Sequence, residues 1–266
     1  MSLIDEQFQR LASDSQTAFM PFVTAGDPDL AFTAELLKAL DSAGCQFVEL
    51  GFPYSDPIAD GPVIQASFTR ALAKQIRVDQ IFEMTASVSD QIKMPIVAMI
   101  SYALIFRYGL EKFVERAKAS GIAGAIVPDL PFQEAECFAE LCGKNDFSLV
   151  QLVTPTTPDE RAIEIAKLST GFIYYVSVTG VTGEQSELPD ELVKRLAWLK
   201  QQTSVPVCVG FGIGRPDQAK MLDPHADGVI VGSAIVKRLA DVTDSNRDQT
   251  VAEISEFARS MVQSLV

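Results

Sequence analysis

The stretch GAIVPDLPFQEAECFAELCGK at residues 124–144 contains the pattern that decides the fold. It begins with a short, wholly apolar run, continues through a loop with two prolines, and ends in an amphipathic segment with the period of a helix. An apolar run without polar alternation is typical of a parallel strand covered on both faces. The stretch therefore predicts a strand over Gly124–Val127 followed by a helix over Phe132–Lys144.

The same strand and helix unit recurs along the whole chain. Further strands are predicted at Phe19–Thr24, Phe47–Leu50, Ile96–Ser101, Ser148–Val153, Phe172–Val176, Val205–Val209 and Gly228–Val231. Further helices are predicted at Leu30–Asp41, Arg77–Gln91, Ala103–Ala119, Asp159–Leu168, Asp190–Gln202 and Pro216–Leu222, with terminal helices near Ile4–Ala12 and Val251–Leu265. Because no GxGxxG sequence follows the first strand, eight such units favour an α/β fold of the (β/α)8 TIM-barrel type, with extra terminal helices, over an open doubly wound sheet.

Composition narrows the class of protein further. The 266 residues are close to the ~250 typical of one such barrel, so residues 1–266 are predicted to form a single domain. The N-terminal sequence MSLIDEQFQRLASDSQ has early acidic residues and no apolar leader segment, which predicts a cytoplasmic protein. Cys45, Cys137, Cys142 and Cys208 lie in apolar or helical runs without paired metal-ligand spacing, so they are predicted to be buried small hydrophobic residues.

The net charge of -13 disfavours binding to nucleic acids and to anionic membranes, because both carry negative charge. No run of about 20 apolar residues, the length that a membrane helix needs, is present. A phosphorylated substrate remains compatible with this charge, since backbone N–H groups can bind phosphate without basic side chains.

Candidate catalytic carboxylates stand where the second predicted strand ends. Active sites of such barrels lie at the C-terminal ends of the strands, and Glu49 occupies that position in FVELGF. Asp56 and Asp60 follow in the loop GFPYSDPIADGP, whose prolines and glycines restrict the backbone. Structural alternatives are a carboxylate hydrogen-bonded only for stability at Glu49, a turn residue at Asp56 and a helix N-cap at Asp60.

Two glycine-rich loops indicate a phosphate site. VGFGI at residues 209–213 follows the seventh strand and VGSAIV at residues 231–236 follows the eighth, the two places where barrels often bind phosphate. Backbone N–H groups near Gly212, Gly232 and Ser233 are predicted to hold the anion, with a tight turn as the alternative. The loop VTGVTGEQSELP at residues 178–189 has the composition of a hinged lid or of a plain surface loop.

Histidine and lysine are absent from the predicted C-terminal end of the barrel, which disfavours two other kinds of catalysis. The single histidine, His225, precedes the eighth strand at the opposite end of the barrel, and no lysine stands at a strand's C-terminal end. A histidine-ligated metal site and Schiff-base catalysis are therefore disfavoured. Acid–base catalysis by carboxylates on a phosphorylated substrate remains.

Several motifs together resemble the tryptophan synthase α-subunit family. They are FVELGFPYSDPIADGPVIQ at 47–65, PFVTAGDPD at 21–29, SY at 101–102, PDLP at 128–131, GVTG at 180–183, GFGI at 210–213 and GSAIVK at 232–237. The resemblance covers nearly the whole chain in the correct order. It implies retro-aldol cleavage of indole-3-glycerol phosphate to indole and glyceraldehyde 3-phosphate.

The resemblance also implies roles for individual residues. Glu49 and Asp60 match the catalytic carboxylates, and Thr182 matches the lid threonine that engages Asp60 on closure. Further substrate contacts are implied for Phe22, Ile64, Tyr102, Val127 and Tyr174 in the indole pocket, for Phe211, and for Gly183, Gly212, Gly232 and Ser233 around the phosphate. One departure concerns the lid, which begins SVTGVTG where some members carry a basic residue before the second hydroxyl.

A partner is implied as well. The resemblance predicts a β subunit that carries pyridoxal phosphate and receives indole, an α2β2 heterotetramer, and contacts through Pro53, Asp56 and Pro131. It implies no metal and no organic cofactor in this chain. The alternatives are a free-standing indole-3-glycerol-phosphate lyase, a phosphosugar isomerase with the same phosphate loops, and a module that mainly activates a β-type partner.

Overall fold

The computed structural model describes residues 1–57, 60–177, 188–210 and 212–265. Within them, eight parallel strands close into a barrel in the order of the sequence. They are β1 (Ala18–Thr24), β2 (Val48–Gly51), β3 (Ile96–Met99), β4 (Ile122–Ile126), β5 (Ser148–Val153), β6 (Ile173–Val176), β7 (Val207–Gly210) and β8 (Gly228–Val231). The barrel closes where Ala18 to Pro21 of β1 pair with Gly228 to Val231 of β8.

Helices connect and surround the strands in the predicted (β/α)8 arrangement, which is thereby confirmed. They are α1 (Leu3–Ser13), α2 (Leu30–Ser42), α3 (Pro62–Leu72), α4 (Val78–Val88), α5 (Tyr102–Tyr108), α6 (Leu110–Ala119), α7 (Phe132–Lys144), α8 (Asp159–Leu168), α9 (Asp190–Gln202), α10 (Pro216–Leu222), α11 (Ser233–Leu239) and α12 (Arg247–Gln263). In the part of the chain that the structure describes, no helix has the length and apolar character needed to cross a membrane.

The largest differences from the predicted helix boundaries occur at three places. The segment predicted as one helix over Ala103–Ala119 is divided into α5 and α6 at Gly109, whose φ of 94° lies in the left-handed region that ends a right-handed helix. The last residues of the predicted helix Arg77–Gln91 form a separate 3-10 turn, Ser89–Gln91. The final helix begins at Arg247, one turn before the predicted start.

Two apolar layers stabilise the barrel. The inner layer fills the barrel axis and includes Met20, Val97, Val150 and Ile230, while the outer layer packs the helices against the strands. Three of the four cysteines are buried as predicted, but the prediction is wrong for Cys137, which lies on the solvent-facing side of α7.

Helix α1 closes the N-terminal end of the barrel. Phe8 stacks on Phe47, which immediately precedes β2, with ring centroids 4.6 Å apart, and it also contacts Phe172, which precedes β6, at 5.9 Å. The Ser2 and Ser148 hydroxyls are 2.6 Å apart at the same end. The open end of the barrel is therefore the C-terminal one, where the candidate site residues lie.

Candidate active site

Glu49 lies on β2, with its backbone in register with Phe22 of β1 and Val97 of β3. Its side chain is 1% exposed, and neither carboxyl oxygen has a hydrogen-bond partner within the described part of the chain. Burial, and then the charge of Asp60, raise the pKa of Glu49 to about 8. A carboxylate kept for stability would be hydrogen-bonded, so these contacts argue against the structural alternative for Glu49.

Asp60 precedes α3, yet it does not cap that helix. The N-cap of α3 is Gly61, and no side chain there accepts a capping hydrogen bond. The Oδ2 atom of Asp60 is buried without a hydrogen-bond partner in the described residues, and burial raises the pKa of this carboxyl to about 6. The structure thus contradicts the N-cap alternative and leaves the Oδ2 atom available for another partner.

Tyr54 is a neighbour of Asp60 that the sequence analysis missed. Hydrogen bonding from Tyr54 lowers the pKa of Asp60 and partly opposes the effect of burial. The Tyr54 ring packs on Phe68 of α3 with centroids 5.4 Å apart. A signal was available, because a hydroxyl-bearing aromatic residue six positions before a carboxylate in a constrained loop can reach it.

Tyr174 of β6 completes a group with the two carboxyls. Burial, and then the charges of Glu49 and Asp60, raise its pKa well above the ordinary value. A Cβ on Gly210 would lie 2.4 Å from the Tyr174 hydroxyl, so the ring lies directly against that backbone. Glycine at position 210 therefore makes room for the Tyr174 ring.

Phe22 and Ile64 form an apolar wall beside this group. A Cβ on Gly51 would lie 2.5 Å from Phe22 Cζ, so the ring covers the end of β2. A Cβ on Gly232 would have Phe22 Cβ at 3.6 Å and Ile64 Cδ1 at 3.7 Å. The wall thus extends from the carboxyls to the start of the glycine-rich loop after β8.

Tyr102 and Val127 are not brought into the same inner cluster. Both pack in the outer apolar layer, where Tyr102 contacts Phe106 and Phe138 at 6.0 and 6.4 Å between ring centroids. The backbone N–H of Tyr102 donates to Asp129 Oδ1 at 2.7 Å. The motifs SY and PDLP therefore meet at this contact, which joins the loops after β3 and β4.

The proposed phosphate residues stand at the ends of β7 and β8. Gly212 has a φ of 79°, a conformation that favours glycine, and it follows β7 closely. Gly232 is the N-cap residue of α11 and Ser233 begins that helix. First-turn N–H groups have no partners within a helix, so they can donate to an anion. Phe211, Thr182 and Gly183 lie outside the described residues.

The predicted partner contacts lie at the rim of the mouth. Asp56 and Pro131 are exposed, whereas Pro53, in the loop after β2, is buried. Pro53 and Asp56 line a groove of about 1190 Å³, together with residues of α4 and α5 and with Asp129 from the loop after β4. Exposed Phe106 and Phe132 add apolar surface to α5 and α7.

Comparison with known proteins identifies the family of the chain. The family model described as tryptophan synthase alpha chain matches residues 8–266. The tryptophan synthase alpha chain of Rhodopirellula baltica is 44% identical over 275 residues, covering 100% of this chain and 99% of that protein. The same protein from a Picosynechococcus species is 44% identical over 266 residues, covering 100% of both chains.

Solved structures show the same similarity in three dimensions. Tryptophan synthase subunit alpha from Legionella pneumophila superposes with a TM-score of 0.91 at 32% identity, covering 100% of this chain and 98% of that one. The tryptophan synthase A-subunit from Pyrococcus furiosus gives a TM-score of 0.85 at 36% identity, covering 93% and 98%. Since sequence and fold agree over almost the full length, the chain belongs to the tryptophan synthase alpha chain family.

Proposed function

We propose that this chain cleaves indole-3-glycerol phosphate to indole and D-glyceraldehyde 3-phosphate, with Glu49 and Asp60 as its catalytic residues. This lyase reaction is the α reaction of the family and a step of tryptophan biosynthesis. The observation that carries the assignment of roles is the buried Glu49 carboxyl, without a hydrogen-bond partner in the described residues and next to a second carboxyl.

Glu49 serves as general acid and then as general base. With a pKa of about 8 it is mostly protonated at neutral pH, so it can give its proton to C3 of the indole ring. The bond between C3 and the first glycerol carbon then breaks, and its electron pair restores the aromatic ring. The hydroxyl on that carbon becomes the aldehyde and returns its proton to Glu49, which regenerates the acid.

Asp60 serves in the ionised form. With a pKa of about 6 it is mostly charged at neutral pH, although burial disfavours the charge. Its carboxylate accepts a hydrogen bond from the indole N–H and stabilises the positive charge that develops after C3 is protonated. Two neighbouring carboxyls whose pKa values are pushed apart are a recurrent way to divide acid and charge-stabilising roles.

The remaining contacts orient the substrate. Phe22, Ile64 and Tyr174 contact the indole ring, and Tyr102 and Val127 support the pocket from the adjoining layer. Gly212, Gly232 and Ser233 bind the phosphate, together with Gly183 from the lid. Phe211 contributes to substrate binding, and Thr182 engages Asp60 when the lid closes.

The family name designates an alpha chain, which implies a beta-chain partner. We place that partner on the rim formed by Pro53, Asp56 and Pro131, in a cytoplasmic α2β2 assembly. The β subunit carries pyridoxal phosphate and receives the indole, whereas this chain works with its own side chains and needs no cofactor. The exposed rings of Phe106 on α5 and of Phe132, which follows Pro131, support a protein contact here.

Indole release by the purified chain tests the proposal, with wild type, Glu49→Gln and Asp60→Asn assayed with and without a tryptophan synthase β subunit. We expect slow release that rises with the partner, and a loss of roughly 10² to 10⁴ in each variant. Near-normal turnover in Glu49→Gln would disprove its role. Fast release that the partner does not change would indicate a free-standing lyase.

A further inference from the structure

Asp27 is a buried charged residue outside the catalytic group. Its side chain is 1% exposed, and among the described residues only Glu49 is another charged residue buried to this degree. It lies in the loop between β1 and α2, which contains none of the residues assigned to the substrate. A carboxylate buried so deeply needs strong compensation, so its partners indicate what it holds in place.

Within the described residues, all the side-chain partners of Asp27 come from α3. Arg70 donates from Nε to Oδ1 at 2.9 Å and from Nη2 to Oδ2 at 2.6 Å, which is the paired geometry of strong guanidinium–carboxylate contacts. The Ser67 hydroxyl donates a short hydrogen bond to Oδ2 as well. Asp27 thus fastens the middle and end of α3 to the β1–α2 loop.

The first turn of the same helix holds the loop that carries Asp60. Gln65 donates its Nε2 to the carbonyl oxygens of Asp60 at 2.8 Å and of Pro57 at 3.3 Å. The N–H groups of Ile64 and Gln65 both donate to the Gly61 carbonyl at 3.1 Å. Any shift of α3 would therefore move Asp60 and the Ile64 side chain of the apolar wall.

We propose that Asp27, Ser67 and Arg70 form a positioning cluster that fixes α3 and thereby sets the location of Asp60. None of the three touches the substrate, so they are positioning residues and not catalytic ones. The role in catalysis rests on the proposed function of Asp60. A misplacement of about 1 Å in a catalytic group can cost roughly 100-fold in rate, which makes such a fixed support valuable.

A matched control is present on the same loop. Asp29 pairs with Arg247 of α12 through bonds of 2.7 and 3.0 Å, and the Arg247 side chain is 24% exposed against 34% for Arg70. Arg247→Met therefore removes a similar two-bond ion pair from the β1–α2 loop without touching α3. Asp29 is 36% exposed whereas Asp27 is 1% exposed, so Arg247→Met controls for the loss of an ion pair on this loop, and Ser67→Ala, which keeps the Arg70 pair, controls for an unpaired charge at Asp27.

The test compares wild type, Arg70→Met, Arg70→Lys and Arg247→Met in steady-state release of indole from indole-3-glycerol phosphate. We expect kcat to fall at least tenfold in Arg70→Met, less in Arg70→Lys, which keeps the charge, and less than twofold in Arg247→Met. If Arg70→Met does not fold, Ser67→Ala serves instead, with an expected loss of several-fold. Wild-type kcat in the folded substitute would overturn the proposal.

A second readout does not depend on activity. In protein labelled with ¹³C at aspartate carboxyls, the Asp60 signal titrates among its neighbours Glu49, Tyr54 and Tyr174. Release of α3 admits water to Asp60, so its titration midpoint should fall towards that of a solvated aspartate in Arg70→Met and stay in place in Arg247→Met. An unchanged Asp60 midpoint in Arg70→Met refutes the positioning role. If Asp60 in the wild type titrates as expected but the protein releases no indole, only the proposed function is refuted.

Discussion

Replacement of Glu49 by glutamine should stabilise the protein at alkaline pH. The folded protein raises the pKa of this carboxyl from 4.5 to about 8, chiefly through burial. The folded state therefore holds the proton more tightly than the unfolded state, so the free energy of unfolding falls as pH rises from about 4.5 to about 8 and then levels off. Glutamine has the same shape and no proton to lose, so it escapes this penalty.

The magnitude follows from the size of the shift. At about 1.4 kcal/mol per pKa unit, the penalty reaches about 3 kcal/mol at pH 7 and about 5 kcal/mol above pH 8. For a chain of this size 1 kcal/mol corresponds to at least about 2 °C in the melting temperature. The melting temperature of Glu49→Gln, relative to wild type, should therefore rise by about 10 °C between pH 5 and pH 9.

Differential scanning calorimetry of the two proteins in phosphate-free buffers at pH 5, 7 and 9 measures this difference. The difference in melting temperature between the two proteins at pH 5, which reflects the replacement of an acid by an amide, is subtracted from the differences at pH 7 and pH 9. Glu136→Gln on the exposed face of α7 serves as the control and should follow wild type at every pH. If the melting temperatures of wild type and Glu49→Gln change with pH in parallel, the folded protein does not hold the Glu49 carboxyl in the neutral form. Its role as an acid at neutral pH would then be refuted.

Three further predictions concern other parts of the barrel. Tyr54→Phe removes the hydrogen bonding that lowers the pKa of Asp60, so the acid limb of the pH profile of kcat/KM should move to higher pH; an unmoved limb would show that the hydroxyl has no influence. Gly210→Ala would place a methyl group 2.4 Å from the Tyr174 hydroxyl. Its affinity for an indolyl alkyl phosphate, measured by calorimetry, should fall at least tenfold. The control Gly214→Ala, where the nearest neighbour of the added methyl group is at 3.6 Å, should bind normally. Equal affinities of the two alanine variants would contradict that steric argument. Phe8→Ala leaves a cavity at the closed end and should lower the free energy of unfolding by about 3 to 5 kcal/mol without changing kcat, while exposed Gln9→Ala changes neither. A fall in kcat of the folded Phe8→Ala protein would contradict the separation of the two ends.

The fold was predictable because its signals are local. Wholly apolar runs such as PIVAMI at 95–100 identify buried parallel strands, and the repeated unit identifies the barrel. The break at Gly109 was not predictable in the same way, because the apolar periodicity of α5 continues into α6 and only the backbone conformation separates them. The other helices with predicted bounds differ from them by a turn or less, and no bounds were predicted for α3 and α11.

The candidate site was predictable in position but not in environment. The place of Glu49 at a strand end follows from the sequence, whereas its missing hydrogen bonds depend on groups that the fold brings from other elements. The contact between Asp27 and Arg70 joins positions 43 residues apart, so one sequence gives no sign of it. Tyr102, the first residue of α5, and Val127, just after β4, pack in the outer layer because their neighbours, and not their spacing in the sequence, decide the direction of these side chains.

The closure of the barrel by α1 also decides the route of small molecules. Phe8, Phe47 and Phe172 fill the axis at the N-terminal end, so a cleaved product cannot diffuse out through the floor. Substrate must enter and products must leave through the opposite opening, so a product that has not yet left delays the entry of the next substrate. A protein that covers this opening would therefore control both the supply of substrate and the destination of indole, and it could receive indole before bulk water does.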